Sequence, residues 1–198
     1  MTRTNLQALS FEADQINQAV EVLQKSGLLL YPTDTIWGIG CDATDPVAVA
    51  RVFSLKKQAA SNPLVILVDS KQMLKQYVEH VHPRIDTLLA YHKRPLTVIY
   101  PKAKQLPDNL IARDKSVAIR VVQDQFCQEM IRQFGKPIVA TSANINNEPF
   151  PENFGSISSE VIKGIDFVVR HRQMEKTPNQ PSVMVRILDN GELDFLRE

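Results

Sequence analysis

The sequence LLLYPTDTIWGIG, residues 28–40, joins an apolar run to a polar turn with two threonines, one aspartate and two glycines. Its apolar part, residues 28–31, predicts a short buried strand, and apolar residues at helical spacing before Gly27 predict a helix that ends there. Hydroxyl groups directly after a buried strand can bind a polar ligand, and glycines allow close approach of a backbone. The same residues could equally form a turn that satisfies its own backbone.

Strands and helices alternate on both sides of this stretch. Helices are predicted to begin at residues that cap or open helices, namely Asp45 with Pro46, Asp69 or Ser70, Pro83, and Asp124. Strands are predicted over 64–68, 96–100, 117–122 and 137–140, with a closing hairpin over 183–188 and 192–196 around Asp189-Asn190-Gly191. The pattern predicts one α/β domain over residues 1–198 (with α+β as a variant), in which helices cover a mixed sheet. The closing hairpin is the predicted source of the mixed character.

Composition excludes several classes of protein. The net charge is +1, so no global field favours nucleic acid. No apolar run approaches the ~20 residues of a membrane span, and the first residues lack the apolar core of a signal peptide. We therefore expect a cytoplasmic protein with no membrane partner. Cys41 and Cys127 are expected to be buried thiols, and the histidines lack zinc spacing, so no protein metal site is predicted.

Two further polar segments follow predicted helices or strands. Lys56 and Lys57 end the second predicted helix, where they could complement the helix dipole or place one ammonium in a cleft as a phosphate ligand. Ser142 and Asn144 lie two positions apart after a strand, so both side chains can point the same way toward phosphate or ribose oxygens. A polar strand end with a simple turn is the alternative for this second pair.

Two single residues have a similar ambiguity. Arg120 lies within the apolar residues 117–122, and an arginine in such a strand usually faces solvent on an edge strand. If it points inward it needs an anionic partner, and a substrate carboxylate would serve. Ser182, which follows Pro181 at the start of the closing hairpin, could likewise be structural or bind a ligand.

Taken together, six stretches resemble the YrdC-like family of threonylcarbamoyl-AMP synthases in order and spacing. They are YPTDT (31–35), GIGCDA (38–43), Lys56 with NPL (62–64), AIRV (118–121), TSAN (141–144) and PS (181–182). The match extends over nearly the whole chain and is similar to the short, single-domain form of the family. It implies a twisted mixed sheet with a large, concave, positively charged cavity.

The resemblance also implies a reaction and a set of site residues. ATP, L-threonine and bicarbonate would give threonylcarbamoyl-AMP and pyrophosphate, for the threonylcarbamoyl modification of adenosine in some tRNAs. Mg²⁺ would be bound through ATP, and the partners would be the proteins of the tRNA threonylcarbamoyl transfer machinery, with tRNA or double-stranded RNA as possible further partners. The implied residues are catalytic Lys56, Ser142 and Asn144; ATP-binding Lys56, Asn62, Ser116, Ser142, Asn144 and Ser182; and threonine-binding Thr33, Thr35 and Arg120.

The chain departs from the family pattern at Gln58, where arginine is usual. A neutral amide there replaces an always-charged, bidentate phosphate ligand. Lys57 could compensate for the missing positive charge at position 58, although adjacent helical residues point about 100° apart. The departure favours a second hypothesis, a divergent YciO-like paralogue that binds or hydrolyses an acyl-adenylate. A third hypothesis is a double-stranded RNA-binding protein, against which the near-neutral charge counts.

Overall fold

The computed structural model of the chain describes residues 3–59, 64–176, 180–188 and 190–198, with side chains from residue 10 onward. The helices are α1 (Arg3–Gln24), α2 (Pro46–Lys56), α3 (Lys71–Tyr77), α4 (Pro83–Tyr91), α5 (Gln125–Phe134) and α6 (Ser159–Lys163), with a 3₁₀ turn at Phe154–Ser156. The strands are β1 (Leu29–Tyr31), β2 (Gly38–Gly40), β3 (Val65–Val68), β4 (Leu96–Tyr100), β5 (Val117–Val121), β6 (Ile138–Ser142), β7 (Phe167–Val168), β8 (Val183–Ile187) and β9 (Leu193–Arg197). Two predicted features, Asn62 and the turn residue Asp189, lie outside the described residues.

Local sequence signals fix where several helices begin and end. The side chains of Asp45, Ser70 and Asp124 each accept a hydrogen bond from a backbone N–H of the first turn of α2, α3 and α5. Pro46 is the first residue of α2, and Gly135 ends α5 with a φ of 78°. The helix starts at Asp45 with Pro46, at Ser70 and at Asp124 agree with the sequence prediction, because a capping side chain is a local requirement.

The described strands form one mixed sheet in the order β7-β1-β2-β6-β3-β5-β4-β8-β9. The pairs β1–β7, β3–β5 and β4–β8 are parallel, and the other neighbouring pairs are antiparallel. The predicted layered α/β class is confirmed. The closing hairpin is not the only cause of the mixed sheet among the described strands, because antiparallel pairs also occur in the middle of the sheet. Strands β2 and β7 and helix α6 are elements that the sequence did not predict.

Helices cover the sheet and close a continuous apolar core. Helix α1 packs against α5, β1 and β7, while α3 and α5 pack against β3. Cys41 and Cys127 are free thiols in this core, as predicted, and burial raises the pKa of both. Among the described helices, none combines the length and the hydropathy that crossing a bilayer requires.

Strand β2 has glycines on both sides of Ile39, and Gly40 leaves room for the ring of Tyr31 on β1. Tyr31 is fully buried, and its hydroxyl donates a hydrogen bond of 2.9 Å to the carbonyl oxygen of Val139 on β6. A Cβ on Gly40 would lie 2.5 Å from Tyr31 Cε1 and 2.9 Å from Val139 O. The missing side chain therefore allows one ring to link β1 to β6 across β2.

We expect Gly40→Ala to lower the free energy of unfolding by about 1–3 kcal/mol, the usual cost of overpacking a core. The added methyl group would require both a buried ring and a backbone carbonyl to move. Gly38→Ala is the matched control, since the nearest atom to its added Cβ would be Thr141 O at 3.4 Å, an ordinary contact distance. Urea denaturation of the two variants measures the difference, and equal losses would contradict the steric argument.

Candidate functional site

A polar cavity of about 220 Å³ lies between the turn after β1, the end of β6 and the β8–β9 hairpin. Five of the predicted site residues line it: Thr33, Thr35, Arg120, Ser142 and Ser182. Gly38, the exposed ring of Phe150 and Arg197 complete much of the described wall. Segments that are far apart in the sequence therefore meet at one site, as the resemblance of the six stretches to the YrdC-like family implies.

The two threonines of the turn after β1 are almost completely buried. Thr33 Oγ1 accepts a hydrogen bond from the N–H of Thr35 and donates one to the carbonyl oxygen of Ile36. The two threonine hydroxyls lie 2.9 Å apart. The turn therefore satisfies its own backbone, and the same two threonines also line the cavity.

Arg120 points into the cavity from the middle of the sheet, because β5 lies between β3 and β4. Of the two alternatives for Arg120, the inward-facing one is present, since only 5% of its side chain is exposed. Its Nη1 donates to Thr35 Oγ1 at 3.1 Å, and its Nη2 lies 3.2 Å from Asp34 Oδ1. Its Nε has no hydrogen-bond partner among the described residues. A guanidinium has five N–H donors, so this buried cation retains capacity for an anionic ligand.

A second guanidinium, that of Arg197 on β9, enters the same cavity. Its Nε and Nη2 donate to the backbone oxygen and the hydroxyl of Ser182 at 2.8 and 3.1 Å. The Ser182 hydroxyl also lies 2.8 Å from that of Thr97 on β4. Partial burial and the charge of Arg120 lower the pKa of Arg197. Sequence reasoning missed Arg197, which directly follows the predicted strand over 192–196 and pairs with Met184 at the start of β8.

Lys56 lies behind Ser142 rather than in the cavity lining. Only 2% of the residue is exposed, and Nζ lies 2.7 Å from the carbonyl oxygens of both Ser142 and Asn144. Further acceptors are Ser142 Oγ at 3.4 Å and Asn144 Oδ1 at 3.2 Å. Burial lowers the pKa of Lys56 to about 8, and the carboxylate of Glu148 acts in the opposite direction. The predicted spatial association of Lys56, Ser142 and Asn144 is therefore present, with the ammonium directed at protein oxygens.

The remaining predicted residues lie away from the cavity or outside the described ranges. The Ser116 hydroxyl donates to Asp114 Oδ1 at 2.6 Å, and Ser116 does not line the cavity. Lys57 pairs with Glu160 at 2.7 Å, both exposed, and does not line the cavity. Asn62 is not among the described residues. The ATP contacts of Ser116 and Asn62 stay predictions.

We expect Arg120→Met to lower the free energy of unfolding by about 3–5 kcal/mol, because it leaves the Asp34 carboxylate buried without its cation. The matched control is Lys57→Met, which breaks an exposed ion pair and should cost less than about 1 kcal/mol. Urea denaturation compares the two variants. A similar small loss in both would show that Arg120 is solvated rather than buried.

A pH dependence of stability follows from the buried ammonium of Lys56. Its pKa is about 8 in the folded chain, against an ordinary value of 10.5. Between these pH values the unfolded chain binds more protons than the folded chain, so the free energy of unfolding increases as the pH rises. We expect the difference in unfolding free energy between wild type and Lys56→Met to shift by roughly 2 kcal/mol in favour of wild type from pH 7 to pH 10. Taking the difference removes the shared titration of tyrosines and cysteines, and a pH-independent difference would contradict the argument.

Comparisons with known proteins add the family. The Sua5/YciO/YrdC family model, described as "Telomere recombination", matches residues 21–198. A threonylcarbamoyl-AMP synthase from Enterobacter sp. (strain 638) is 31% identical over 143 residues, which is 71% of this chain and 75% of that protein. One from Escherichia coli O6:H1 is 29% identical over the same shares of each chain.

Solved structures agree with this assignment. The crystal structure of P. abyssi Sua5 complexed with L-threonine superposes with a TM-score of 0.81 at 25% identity over 92% of this chain. This chain spans only 53% of that Sua5 chain. E. coli YciO superposes with a TM-score of 0.80 at 22% identity, covering 92% of this chain and 88% of YciO, which shows a shared fold. Because the family model matches residues 21–198, which is most of the chain, the chain belongs to the Sua5/YciO/YrdC family.

Proposed function

We propose that this chain forms threonylcarbamoyl-AMP from ATP, L-threonine and bicarbonate and releases pyrophosphate, as the names of its relatives indicate for those proteins. The observation that carries the proposal is the pair of guanidinium groups, Arg120 and Arg197, that share one cavity with five hydroxyl side chains. ATP carries phosphates and L-threonine carries a carboxylate, and such a site can hold a carboxylate and a phosphate side by side. The product would serve the threonylcarbamoyl modification of tRNA.

Three of the lining residues, Arg120, Thr33 and Thr35, suit the amino acid. Arg120 is fixed by Asp34 and Thr35, and its guanidinium lines the cavity, where its charge and remaining N–H donors can bind the carboxylate of L-threonine. The L-threonine complex of P. abyssi Sua5 supports the choice of amino acid. The side chain of Asp34 has a positioning role here, because its other oxygen accepts the N–H of Gln123 and so anchors the turn to the end of β5.

Ser142, Ser182 and Arg197, which line the same cavity, suit the nucleotide. Threonine and bicarbonate combine into a carbamate with loss of water, and a carbamate oxygen then attacks the α-phosphorus of ATP while pyrophosphate leaves. The residues required are donors that stabilise the extra negative charge on the phosphates, and a fixed guanidinium with two hydroxyls provides them. The resemblance implies a contact between the Lys56 ammonium and the phosphates, whereas the acceptors that surround this ammonium among the described residues are protein oxygens.

Mg²⁺ is part of the proposal as an ion that enters with the nucleotide. The described lining contains hydroxyls but no carboxylate, and the described residues hold no group of three or more potential metal-ligating side chains. Since Mg²⁺ prefers oxygen ligands and commonly bridges phosphates, the nucleotide would provide most of its coordination. The role of the chain is to bind and orient the phosphates.

The direct test incubates the protein with ATP, Mg²⁺, labelled bicarbonate and L-threonine, and separates labelled acyl-adenylates while pyrophosphate is measured. We expect a labelled product and equal pyrophosphate only when L-threonine is present. Arg120→Met should raise the KM for threonine more than the KM for ATP, because the lost donor faces the amino acid. Pyrophosphate release that is indifferent to threonine would defeat the proposal.

Gln58 separates this function from the second candidate, a YciO-like protein that binds or hydrolyses an acyl-adenylate. Lys57 is paired with Glu160, so no lysine replaces the missing arginine from that position. If the chain is a synthase with a weakened phosphate contact, Gln58→Arg should raise the synthesis rate ten-fold or more, which corresponds to ~1.4 kcal/mol of transition-state stabilisation. Lys57→Ala is the control and should leave the rate unchanged. A flat response to Gln58→Arg, together with hydrolysis of added threonylcarbamoyl-AMP, would favour the YciO-like alternative.

A further inference from the structure

The contacts of Lys56 are those of a residue that organises the chain. Its ammonium lies 2.7 Å from the carbonyl oxygens of Ser142 and Asn144. Its own carbonyl oxygen accepts a hydrogen bond of 2.9 Å from the N–H of Asn146. Side chain and backbone together therefore attach residues 142–146 to the end of α2.

The segment that Lys56 holds continues into the cavity wall. Asn144 Oδ1 lies 3.2 Å from the Lys56 ammonium, and Asn144 Nδ2 donates to the carbonyl oxygen of Glu148 at 2.6 Å. Glu148 is followed by Pro149 and by Phe150, whose ring lines the cavity and is 52% exposed. The orientation of Asn144 thus connects the buried ammonium to the far end of the wall.

We propose that Lys56 is a positioning residue that fixes residues 142–150 as one wall of the cavity, and that it is not a direct ligand of the nucleotide phosphates. An ammonium has three N–H donors, and four protein acceptors already surround this one. Removal of Lys56 should therefore weaken the binding of every ligand that touches the wall, with or without phosphates. The choice of nucleotide ligands for the test rests on the proposed function, whereas the order of the wall can be measured without any ligand.

The test compares Lys56→Met with Lys57→Met, the same substitution at the exposed neighbouring residue. Hydrogen exchange of residues 142–150 reports the order of the wall. The emission of Trp37, the single tryptophan of the chain, is a second report, because Trp37 O accepts the N–H of Ala143 at 3.0 Å. Calorimetric titration with ATP and with adenosine, which has no phosphates, reports binding.

In Lys56→Met we expect exchange in residues 142–150 to become at least ten-fold faster and the Trp37 emission to shift. Affinity for ATP and for adenosine should fall together by about ten-fold or more, the loss typical of a charged hydrogen bond. Lys57→Met should match wild type in every measurement.

Wild-type exchange with a loss of ATP affinity alone would overturn the proposal and make Lys56 a phosphate ligand. No change in either measurement would overturn it as well. If wild type binds neither ATP nor adenosine, the proposed function fails, while exchange still decides the role of Lys56. If Lys56→Met does not fold, Lys56→Arg carries the same comparison, since it keeps the charge but not the compact ammonium.

Discussion

A buried ammonium joins the two parts of the chain on which the cavity depends. Lys56 is the last residue of α2, and the oxygens around it belong to the end of β6 and the turn that follows. A charge is costly to bury unless it is hydrogen-bonded, and here the acceptors lie between 2.7 and 3.4 Å from Nζ. Because β6 lies between β2 and β3, this contact orients a segment at the centre of the sheet.

The cations that do face the cavity are held in the same manner, each by an acceptor of the protein. Asp34 and Thr35 hold Arg120, while Ser182 holds Arg197. A guanidinium that is fixed before the ligand arrives loses little side-chain entropy on binding, and its charge needs little reorganisation during a reaction. Anion recognition in this fold therefore depends on contacts that orient the two guanidinium groups before any ligand binds.

Much of the architecture could be predicted from local signals, and most of the site could be located from short motifs. Asp45, Ser70 and Asp124 cap helices because their side-chain oxygens satisfy nearby backbone groups, which requires no knowledge of the tertiary structure. Strand β2 could not be predicted from the sequence, because two of the three residues of β2 are glycines and glycine has a low strand propensity. The ion pair of Arg120 with Asp34 was also beyond reach, since the strand order that places β5 in the interior depends on long-range pairing.

The link from Tyr31 across β2 has a consequence for redesign of this chain. The ring occupies the volume that a side chain at position 40 would fill, and its hydroxyl is bonded to Val139 O. The side chains at positions 31 and 40, on neighbouring strands, therefore compete for the same space. A larger residue at 40 becomes acceptable only when the aromatic ring at 31 is reduced in the same step, and that exchange would leave the carbonyl of Val139 in need of another donor.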